Sequence, residues 1–463
     1  MKQTLQVCRA RASQRMQDSV WAHRDVRLVV PARALSVAGD GMALVVLLLQ
    51  LHDTGHGPAA ITGLLLCFTV PTVLTMGWAG QVADTRDSRL VLSTATAAQV
   101  VACVGLAVSD DLGATYGFVV LLQLGAAFGS PAWTALLPRI VGDDGLGRAV
   151  AWQQGLGAAT RPAGAALGGV LYGWFGAPVA FWCVAGAFAV LLGTAVAVRT
   201  RRGGRRGRDD GTVPTHPGPD TRFESDLDET PRDRSRNACP DEGVGGHRVL
   251  DGLRVLRADA LLWPLFCVLL PFILIVEGVN VVEVFLVRDS LGASPAEYGL
   301  SEVAFGVGAV LGSAVAGRLE GDRRRAWAVL AGLGLMCVAI AGTGAAPSFA
   351  VYLGLAVLVG GLNTIGNAAS GALMMTRTPE EQRGRVSAAL NGCARLCSTV
   401  ALLAGGVVGT ALGPRPTFVL GGTLGAAVVG AGALWLRART RNGTAYQPRR
   451  AGVSGPGARP CRR

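Results

Sequence analysis

The sequence predicts an all-α integral membrane protein in which twelve transmembrane helices form two six-helix bundles related by pseudo-twofold symmetry. Three observations support this fold class. Half of the 463 residues are hydrophobic, 16% are charged and the mean hydropathy is +0.41, a composition that a water-soluble domain of this size would not sustain. The apolar residues form roughly twelve runs long enough to cross a bilayer. The two halves of the chain also repeat each other.

The predicted spans follow from the thickness of the bilayer core, because about 30 Å requires about 20 helical residues at 1.5 Å each. The first bundle is predicted to contain the spans 28–50, 57–80, 90–109, 113–136, 149–173 and 176–198. The second is predicted to contain 260–286, 297–317, 326–344, 348–374, 386–412 and 415–436. This divides the chain into a tail (1–27), an N-terminal bundle (28–198), a linker (199–259), a C-terminal bundle (260–436) and a second tail (437–463).

The repeat is read from an offset of 237 residues, which carries Asp40-Gly41 to Glu277-Gly278. The same offset relates pairs along both bundles, namely Gly80 to Gly317, Arg86 to Arg323, Gly129 to Gly366, Gly147-Arg148 to Gly384-Arg385, Gly168-Gly169 to Gly405-Gly406, Gly176 to Gly413 and Phe181 to Phe418. An ungapped register of this length indicates an internal duplication. Many secondary transporters use duplicated halves to build a central cavity that opens to one side and then the other.

The charge distribution predicts the orientation of the chain. Of the 43 Lys and Arg residues, only Arg288 and Arg415 fall in predicted outer loops and only Arg33, Arg161 and Arg395 within spans. The positive-inside rule therefore places both termini and the long linker in the cytoplasm of a multi-pass plasma-membrane protein. The net charge of +12 thus reflects membrane orientation, and we expect no nucleic-acid partner.

The predicted linker is rich in Arg, Asp, Pro and Gly between residues 199 and 247 and contains too few apolar residues to build a core. It is predicted to be disordered, either as a plain tether or as a regulatory segment. From Val249 to Leu262, apolar residues recur at helical spacing, which predicts an interfacial helix leading into the seventh span.

Other functional classes lack sequence support. Most of the ten Cys lie in apolar spans without the spacing of a disulfide framework or a metal site. No catalytic Ser/His/Asp arrangement and no phosphate-binding loop is recognisable. We therefore expect a protein that is not an enzyme, uses no cofactor or metal and acts as a monomer in the lipid bilayer.

Charged residues within spans are the first candidates for function, because an ionised side chain at mid-bilayer costs about 2.5 to 3.5 kcal/mol. Asp40 lies near the middle of the first span, and Glu277 occupies the equivalent place in the seventh, where it shares a helix face with Asn280 at i, i+3. Burial favours the protonated form of a carboxylate and a nearby Arg favours the ionised form. Asp40 and Glu277 are therefore the proton-coupling candidates.

Further polar residues within spans are candidates for contact with a substrate in a cavity. Arg33 lies on the same face as Asp40 but roughly 10 Å away along the helix axis, and it could instead reach the inner headgroups. Arg161 and Arg395 could pair with a carboxylate, bind an anionic substrate or serve structure alone. Four amide side chains within spans could line the cavity or join helices by hydrogen bonds. They belong to Gln123, Asn363, Asn367 and Asn391. Glu283 and Glu302 lie nearer the outer ends of their spans and are expected at the membrane interface.

The loop after the second span contains alternating acidic and basic residues, with Gly80, Asp84, Arg86 and Arg89 as its main features. Such residues at a cytoplasmic helix end could form a latch that breaks when the inner side opens, or could be ordinary solvated loop charges. Gly80, Asp84 and Arg89 resemble the loop signature of the major facilitator superfamily, although Thr85 stands where that family usually has a basic residue.

Further motifs resemble the drug-efflux branch of that family, which includes macrolide and siderophore exporters. They are Arg33, Ser36, Gly39 and Asp40 in the first span, Ala127-Phe128, Pro131-Ala132 and Ala135-Leu136-Leu137-Pro138 in the fourth, and Thr378-Pro379-Glu380-Glu381 with Arg383-Gly384-Arg385-Val386 before the eleventh. The resemblance implies export of small amphiphilic molecules by proton antiport with alternating access. An importer of a small nutrient on the same fold and a non-transporting membrane sensor or scaffold are the alternatives.

Overall fold

The computed structural model describes residues 24–197, 245–259, 261–379 and 382–441, which are almost entirely helical. Most of the predicted linker and both predicted tails lie outside the described residues, apart from their ends. The helices are α1 (Arg24–Asp53), α2 (Pro58–Thr85), α3 (Ser88–Val108), α4 (Leu112–Ala197), α5 (Gly245–Ala258), α6 (Leu262–Asn280), α7 (Glu283–Phe285), α8 (Pro295–Ala316), α9 (Asp322–Gly344), α10 (Phe349–Arg377), α11 (Arg383–Leu412) and α12 (Pro414–Arg441).

Helix α4 contains three of the predicted spans. Its 86 residues would measure about 130 Å as a straight rod, several times the thickness of a bilayer core. Gly176 has a φ of +78°, a left-handed conformation that ends a regular helix and that glycine adopts without strain. It divides the apolar segment Ala159–Ala197 where the fifth and sixth spans were predicted to meet. With this division, the 11 candidate spans of the described residues provide the twelve predicted crossings.

The outer surface of the bundle has the composition expected for contact with lipid. Large apolar side chains are exposed around it, including Leu74, Trp78, Trp174 and Val407, each with more than two thirds of its surface accessible. A water-soluble protein does not expose so many large apolar side chains together. The protein is therefore a multi-pass membrane protein.

The seventh span differs from its prediction. A single helix was expected over 260–286, but α6 ends at Asn280 and a turn at Val281-Val282 separates it from α7. A π-helical turn, Leu286–Ser290, follows directly. The prediction was wrong here because an unbroken apolar run is compatible with a continuous helix and with a broken one. A broken helix inside a membrane is tolerated where other helices or a cavity cover its backbone.

The predicted helix before the seventh span is present as α5, beginning four residues before Val249 at Gly245. A Cβ on Gly252 would collide with the carbonyl oxygen of Arg385, so α5 packs closely on the inner end of α11. Leu256 is fully buried in the same face. The amphipathic pattern therefore serves contact with protein, whereas the sequence predicted a helix at the lipid interface.

The two bundles repeat the same internal packing. In the N-terminal half, a Cβ on Gly41 would collide with the carbonyl oxygen of Arg161, and one on Gly164 with that of Ala38, so α1 and α4 nearly touch. In the C-terminal half, a Cβ on Gly405 would collide with the backbone of Gly278, which joins α6 to α11 in the same way. Small residues permit this close backbone approach, which stabilises helix pairs inside a membrane.

Contacts between the bundles obey the same symmetry. A Cβ on Gly169 of α4 would lie 3.0 Å from the backbone nitrogen of Gly299 of α8. The positions 237 residues away in sequence, Gly406 of α11 and Thr62 of α2, form the corresponding contact, and the Thr62 hydroxyl donates to the carbonyl oxygen of Leu402 at 3.4 Å. The pseudo-twofold symmetry predicted from the sequence thus relates the contact between α4 and α8 to the contact between α2 and α11. By the predicted orientation, these contacts lie in the outer half of the bundle.

Candidate functional site: a cavity between the two halves

A cavity of about 450 Å³ lies where the two bundles meet and extends into the C-terminal one. The N-terminal half contributes an apolar wall with Leu44, Leu48, Leu65 and Phe68, together with Thr69 and Arg161. The C-terminal half contributes most of the polar groups, and the residues lining this side include Glu277, Asn280, Glu283, Tyr298, Ser301, Glu302, Thr343, Tyr352 and Asn363. The C-terminal half also contributes apolar residues, among them Phe305, Met336 and Ile340, so the cavity is amphipathic with its polar groups concentrated on one side.

The break in the seventh span explains how Glu277 and Glu283 come to line one cavity. On a continuous helix, residues six positions apart point about 120° away from each other. The turn at Val281-Val282 changes the direction of the chain between them. Glu277 and Asn280 end α6, Glu283 begins α7, and all three side chains border the cavity.

Glu283 is held by a tyrosine from α10. The Tyr352 hydroxyl donates a hydrogen bond of 2.5 Å to Glu283 Oε1. Tyr352 and Tyr298 are buried, with 3% and 2% of their surface exposed. Glu302 of α8 lies within electrostatic range of Glu283. The C-terminal wall thus concentrates two carboxylates and two phenols in one polar cluster.

Arg161 connects this cluster to the N-terminal half. It lines the cavity, and its charge acts on Glu302 of α8 and on Asp40 of α1. Asp40 is half-buried and is not among the residues that border the cavity, although Leu44, one turn further along α1, is. Arg33 is also within electrostatic range of Asp40, and its Nε is buried with no hydrogen-bond partner within the described residues. Asp40 therefore lies outside the cavity lining but within electrostatic range of Arg161, which borders the cavity.

The other candidates predicted from the sequence divide into two groups. Asn363 lines the cavity and accepts a hydrogen bond from the exposed Asn367, which does not. Gln123 is half-buried in α4 but outside the cavity lining. Asn391 donates to the Ser387 carbonyl oxygen at 2.9 Å on α11, and Arg395 is exposed on the same helix. Neither of these two α11 residues borders this cavity.

Glu283 and Glu302 correct the sequence interpretation, which placed them at the membrane interface. Both line the cavity. Their depth along a straight span suggested the interface, but the break in the seventh span brings Glu283 to the cavity. Glu302 is the repeat equivalent of Leu65, which also lines the cavity, so the duplication relates the two positions once the structure is known.

Hydrogen-bonded charges join the two bundles at the helix ends that the predicted orientation places outside. His52 Nε2 lies 2.8 Å from Asp289 Oδ1, and Arg288 donates to Asp53 Oδ1 at 3.0 Å. Asp53 also accepts a hydrogen bond from the Tyr172 hydroxyl at 3.1 Å. We call His52, Asp53, Tyr172, Arg288 and Asp289 the outer cluster. Together with the contacts between α4 and α8 and between α2 and α11, the outer cluster joins the two halves.

The predicted latch lies at the opposite ends of the helices. Gly80 and Asp84 belong to α2, but their surroundings lie outside the part of the chain that the structure describes. Arg86 is exposed at the end of α2, and Asp87 caps α3 by accepting from the backbone nitrogen of Arg89 at 2.9 Å. In the second copy, Arg377 bonds Asp259 at 2.9 Å and Asp322 at 3.3 Å, which ties three helix ends of the C-terminal half together.

Two helical bundles related by a pseudo-twofold axis around an amphipathic cavity define a membrane transporter. The comparisons with known proteins agree. The model of the Major Facilitator Superfamily matches residues 29–282 and 277–459, and the chain belongs to that family. No curated protein sequence matches the chain.

Solved structures with a similar fold include two transporters open to the inside. A bacterial homologue of the iron transporter ferroportin in its inward-facing state has a TM-score of 0.64 at 16% identity, covering 90% of this chain and 98% of that one. A bacterial homologue of the human lysosomal transporter Spinster, inward-facing and unoccupied, has a TM-score of 0.63 at 13% identity, covering 90% and 96%. The ferroportin homologue in its outward-facing state gives 0.50 at 17% identity, covering 90% and 100%.

Proposed function

We propose that this protein exports small amphiphilic molecules across the cell membrane in exchange for protons, by alternating access, as a member of the drug-efflux branch of its family. The observation that supports the proposal most directly is the cavity between the two halves. Its volume of about 450 Å³ suits a small organic molecule. A cavity that is mostly apolar, with its polar groups concentrated on the C-terminal side, suits a molecule that is itself amphiphilic.

Proton exchange requires a carboxylate that can change its charge during the cycle. Asp40 and Glu277 are the proposed proton carriers. Asp40 is placed beside Arg33 and Arg161, and Glu277 borders the cavity itself. A carboxylate in these surroundings is costly when it is ionised and unpaired, so either a proton or a cationic partner must compensate its charge. Movement of Arg161 between Asp40 and Glu302 would make the relative position of the two halves depend on whether these carboxylates are charged.

Alternating access requires one closure on each side of the membrane. We assign the closure of the outer side to the outer cluster, because its hydrogen bonds link the two halves. We assign the closure of the opposite state to the latch residues Gly80, Asp84, Arg86 and Arg89, on the side where basic residues predominate. The glycine contacts between helices would let the two bundles rock without large rearrangement of side chains.

Everted membrane vesicles test export and proton coupling together. With a pH gradient, acid inside, vesicles containing the protein should accumulate a fluorescent amphiphilic dye, and collapse of the gradient should release it. Asp40→Asn should abolish accumulation, while Asp110→Asn, a change at an exposed outer-loop carboxylate, should not. Normal accumulation by Asp40→Asn would remove Asp40 from the mechanism. Uptake by whole cells with no outward pumping would contradict export and point to an importer.

A further inference from the structure

A second hollow lies at the seam between the two halves. It is a groove of about 580 Å³ between residues 59–66 of α2 and residues 403–411 of α11. The central cavity borders a different face of the same two helices, since Leu65 and Leu402 line the cavity whereas Leu66 and Leu403 line the groove. Among the described residues the two linings have no member in common. The groove is therefore separate from the site assigned to the substrate.

The lining of the groove is apolar. Within the described part of the chain, Thr62 and Thr410 are its only polar side chains, and no ionisable side chain borders it. Both hydroxyls donate to carbonyl oxygens of their own helices, Thr62 to Pro58 at 3.0 Å and Thr410 to Gly406 at 2.7 Å. The walls therefore suit a hydrocarbon better than a charged or strongly polar ligand.

The groove is continuous with the surface that contacts lipid. Leu403 and Val407, which border it, have 51% and 71% of their surface exposed, and Ala59 and Ala411 are also exposed. Inside a bilayer the medium around such a surface is hydrocarbon. An unfilled hollow there would lose the van der Waals contacts that its walls can make. The membrane itself therefore supplies the occupant.

The depth of the groove fits the upper part of an acyl chain. Pro58 is the first residue of α2 and Leu412 is the last residue of α11, so the groove begins at these helix ends. Residues 59–66 extend about 12 Å along α2 at 1.5 Å per residue. A phospholipid of the same leaflet has its headgroup near the helix ends and the first half of its acyl chains at this depth.

We propose that one acyl chain of a membrane phospholipid occupies this groove and forms part of the contact between the two halves. The walls belong to opposite halves, so a chain held there packs on both of them at once. It adds van der Waals contacts beside the direct approach of Gly406 to Thr62. The inference depends neither on the direction of transport nor on proton exchange.

Photocrosslinking tests the proposal on the full-length protein in phosphatidylcholine liposomes. A small fraction of the lipid carries a diazirine in the upper half of one acyl chain, and crosslinked peptides are located by mass spectrometry. Val419, Leu420 and Leu424 are exposed near the start of α12 at Pro414, at a similar depth, and report ordinary lipid contact. Crosslinks to the groove residues should exceed those to α12 by at least about threefold, the ratio that about five additional heavy-atom contacts would produce.

Substitutions that fill the groove locate the chain. Ala411→Trp should reduce the crosslinks at the groove to the level of α12. The fold already carries an exposed tryptophan, Trp174, at the equivalent position of the other half. Ala189→Trp, at an exposed alanine of the sixth span outside the groove, should leave the excess unchanged. Size exclusion checks the folding of each variant, and Ala59→Phe, on the other wall, decides the question if Ala411→Trp does not fold.

The outcomes separate this inference from the proposed function. Equal crosslinking of the groove and α12, or an excess that the folded filling variants retain, would overturn it. A wild-type dimer that Ala411→Trp converts to a monomer would assign the groove to a second copy of the chain and would also overturn it. An excess that is lost in Ala411→Trp and kept in Ala189→Trp would support it, even if the vesicles show no proton-driven export.

Discussion

His52 Nε2 lies 2.8 Å from Asp289 Oδ1, and the two residues are 237 positions apart, the offset that relates the two halves of the chain. Residues related by a twofold operation can touch each other only near the axis. The axis of the duplicated fold therefore passes between the outer ends of the first and seventh spans. Sequence divergence has placed an imidazole on one side of the axis and a carboxylate on the other, so equivalent positions now attract each other.

This contact belongs to the outer cluster, in which Asp53 has the largest number of partners. It accepts from Arg288 and Tyr172 and lies 2.9 Å from His52 Nδ1. Asp53→Ala should shift the protein toward the outward-open state by about fivefold, because partly exposed charge pairs are each worth up to about 1 kcal/mol.

The shift can be measured with spin labels at positions 57 and 348 by pulsed electron resonance. A side chain at Gly57 meets nothing within 4 Å, and Ser348 is exposed, so both positions accept a label. Asp110→Ala, at another exposed outer carboxylate, is the matched control. An unchanged distance distribution in Asp53→Ala would show that the cluster does not hold the outer side closed.

The glycine contacts between α1 and α4 should be sensitive to a single methyl group. A Cβ on Gly164 would collide with the backbone of Ala38, which cannot move as a side chain could. Gly164→Ala should therefore destabilise the protein by about 1 to 3 kcal/mol. Gly371→Ala is the control, because a Cβ there meets nothing within 4 Å, and removing a helical glycine should stabilise by up to about 1 kcal/mol. Equal unfolding temperatures in one detergent would contradict the packing described.

The inner ends of the C-terminal half depend on Arg377, which bonds the carboxylates of Asp259 and Asp322. Arg377→Gln should lower the free energy of unfolding by about 1 kcal/mol, since the three side chains are partly shielded from water. The difference should decrease in high salt, which screens the remaining charges. Arg318→Gln, an exposed arginine of the same loop region, should have little effect. A loss equal to that of Arg318→Gln would mean that the ion pairs contribute nothing measurable.

The predicted orientation can be tested by labelling single cysteines. In a variant without the ten native Cys, a cysteine at position 110 should react with a membrane-impermeant maleimide in intact cells, and one at position 320 only after permeabilisation. The reason is that basic loops remain on the cytoplasmic side during insertion. The reverse labelling pattern would place the outer cluster in the cytoplasm.

The sequence predicted the parts of the candidate site that depend on local pattern. Glu277, Asn280, Arg161 and Asn363 were selected as polar residues within apolar spans, and all four line the cavity. Asn391 and Arg395 met the same criterion but lie outside its lining. A polar residue within a span is expected to face away from lipid. Whether it faces the cavity or another helix depends on how its helix is rotated about its axis, and the residues around it in the sequence do not determine that rotation.

Glu283 and Glu302 are the opposite case, because they were predicted to lie at the membrane interface and the structure places them in the cavity lining. Their distance from the membrane centre was inferred from the length of the predicted spans. Their exposure to the cavity depends on the turn at Val281-Val282 and on Tyr352 of α10, which meets Glu283 from a position 69 residues away. A helix break within an apolar run cannot be recognised from composition, because the residues before and after the break both remain buried.

The sequence by itself determined the all-α membrane fold, the crossings and the duplication of the halves. Each of these follows from runs of about 20 apolar residues or from a comparison of the chain with itself. Only the tertiary structure decided which carboxylates share a cavity and which residues join the two halves. Those properties depend on long-range packing at glycine contacts and on ion pairs between the halves, whose partners lie hundreds of residues apart.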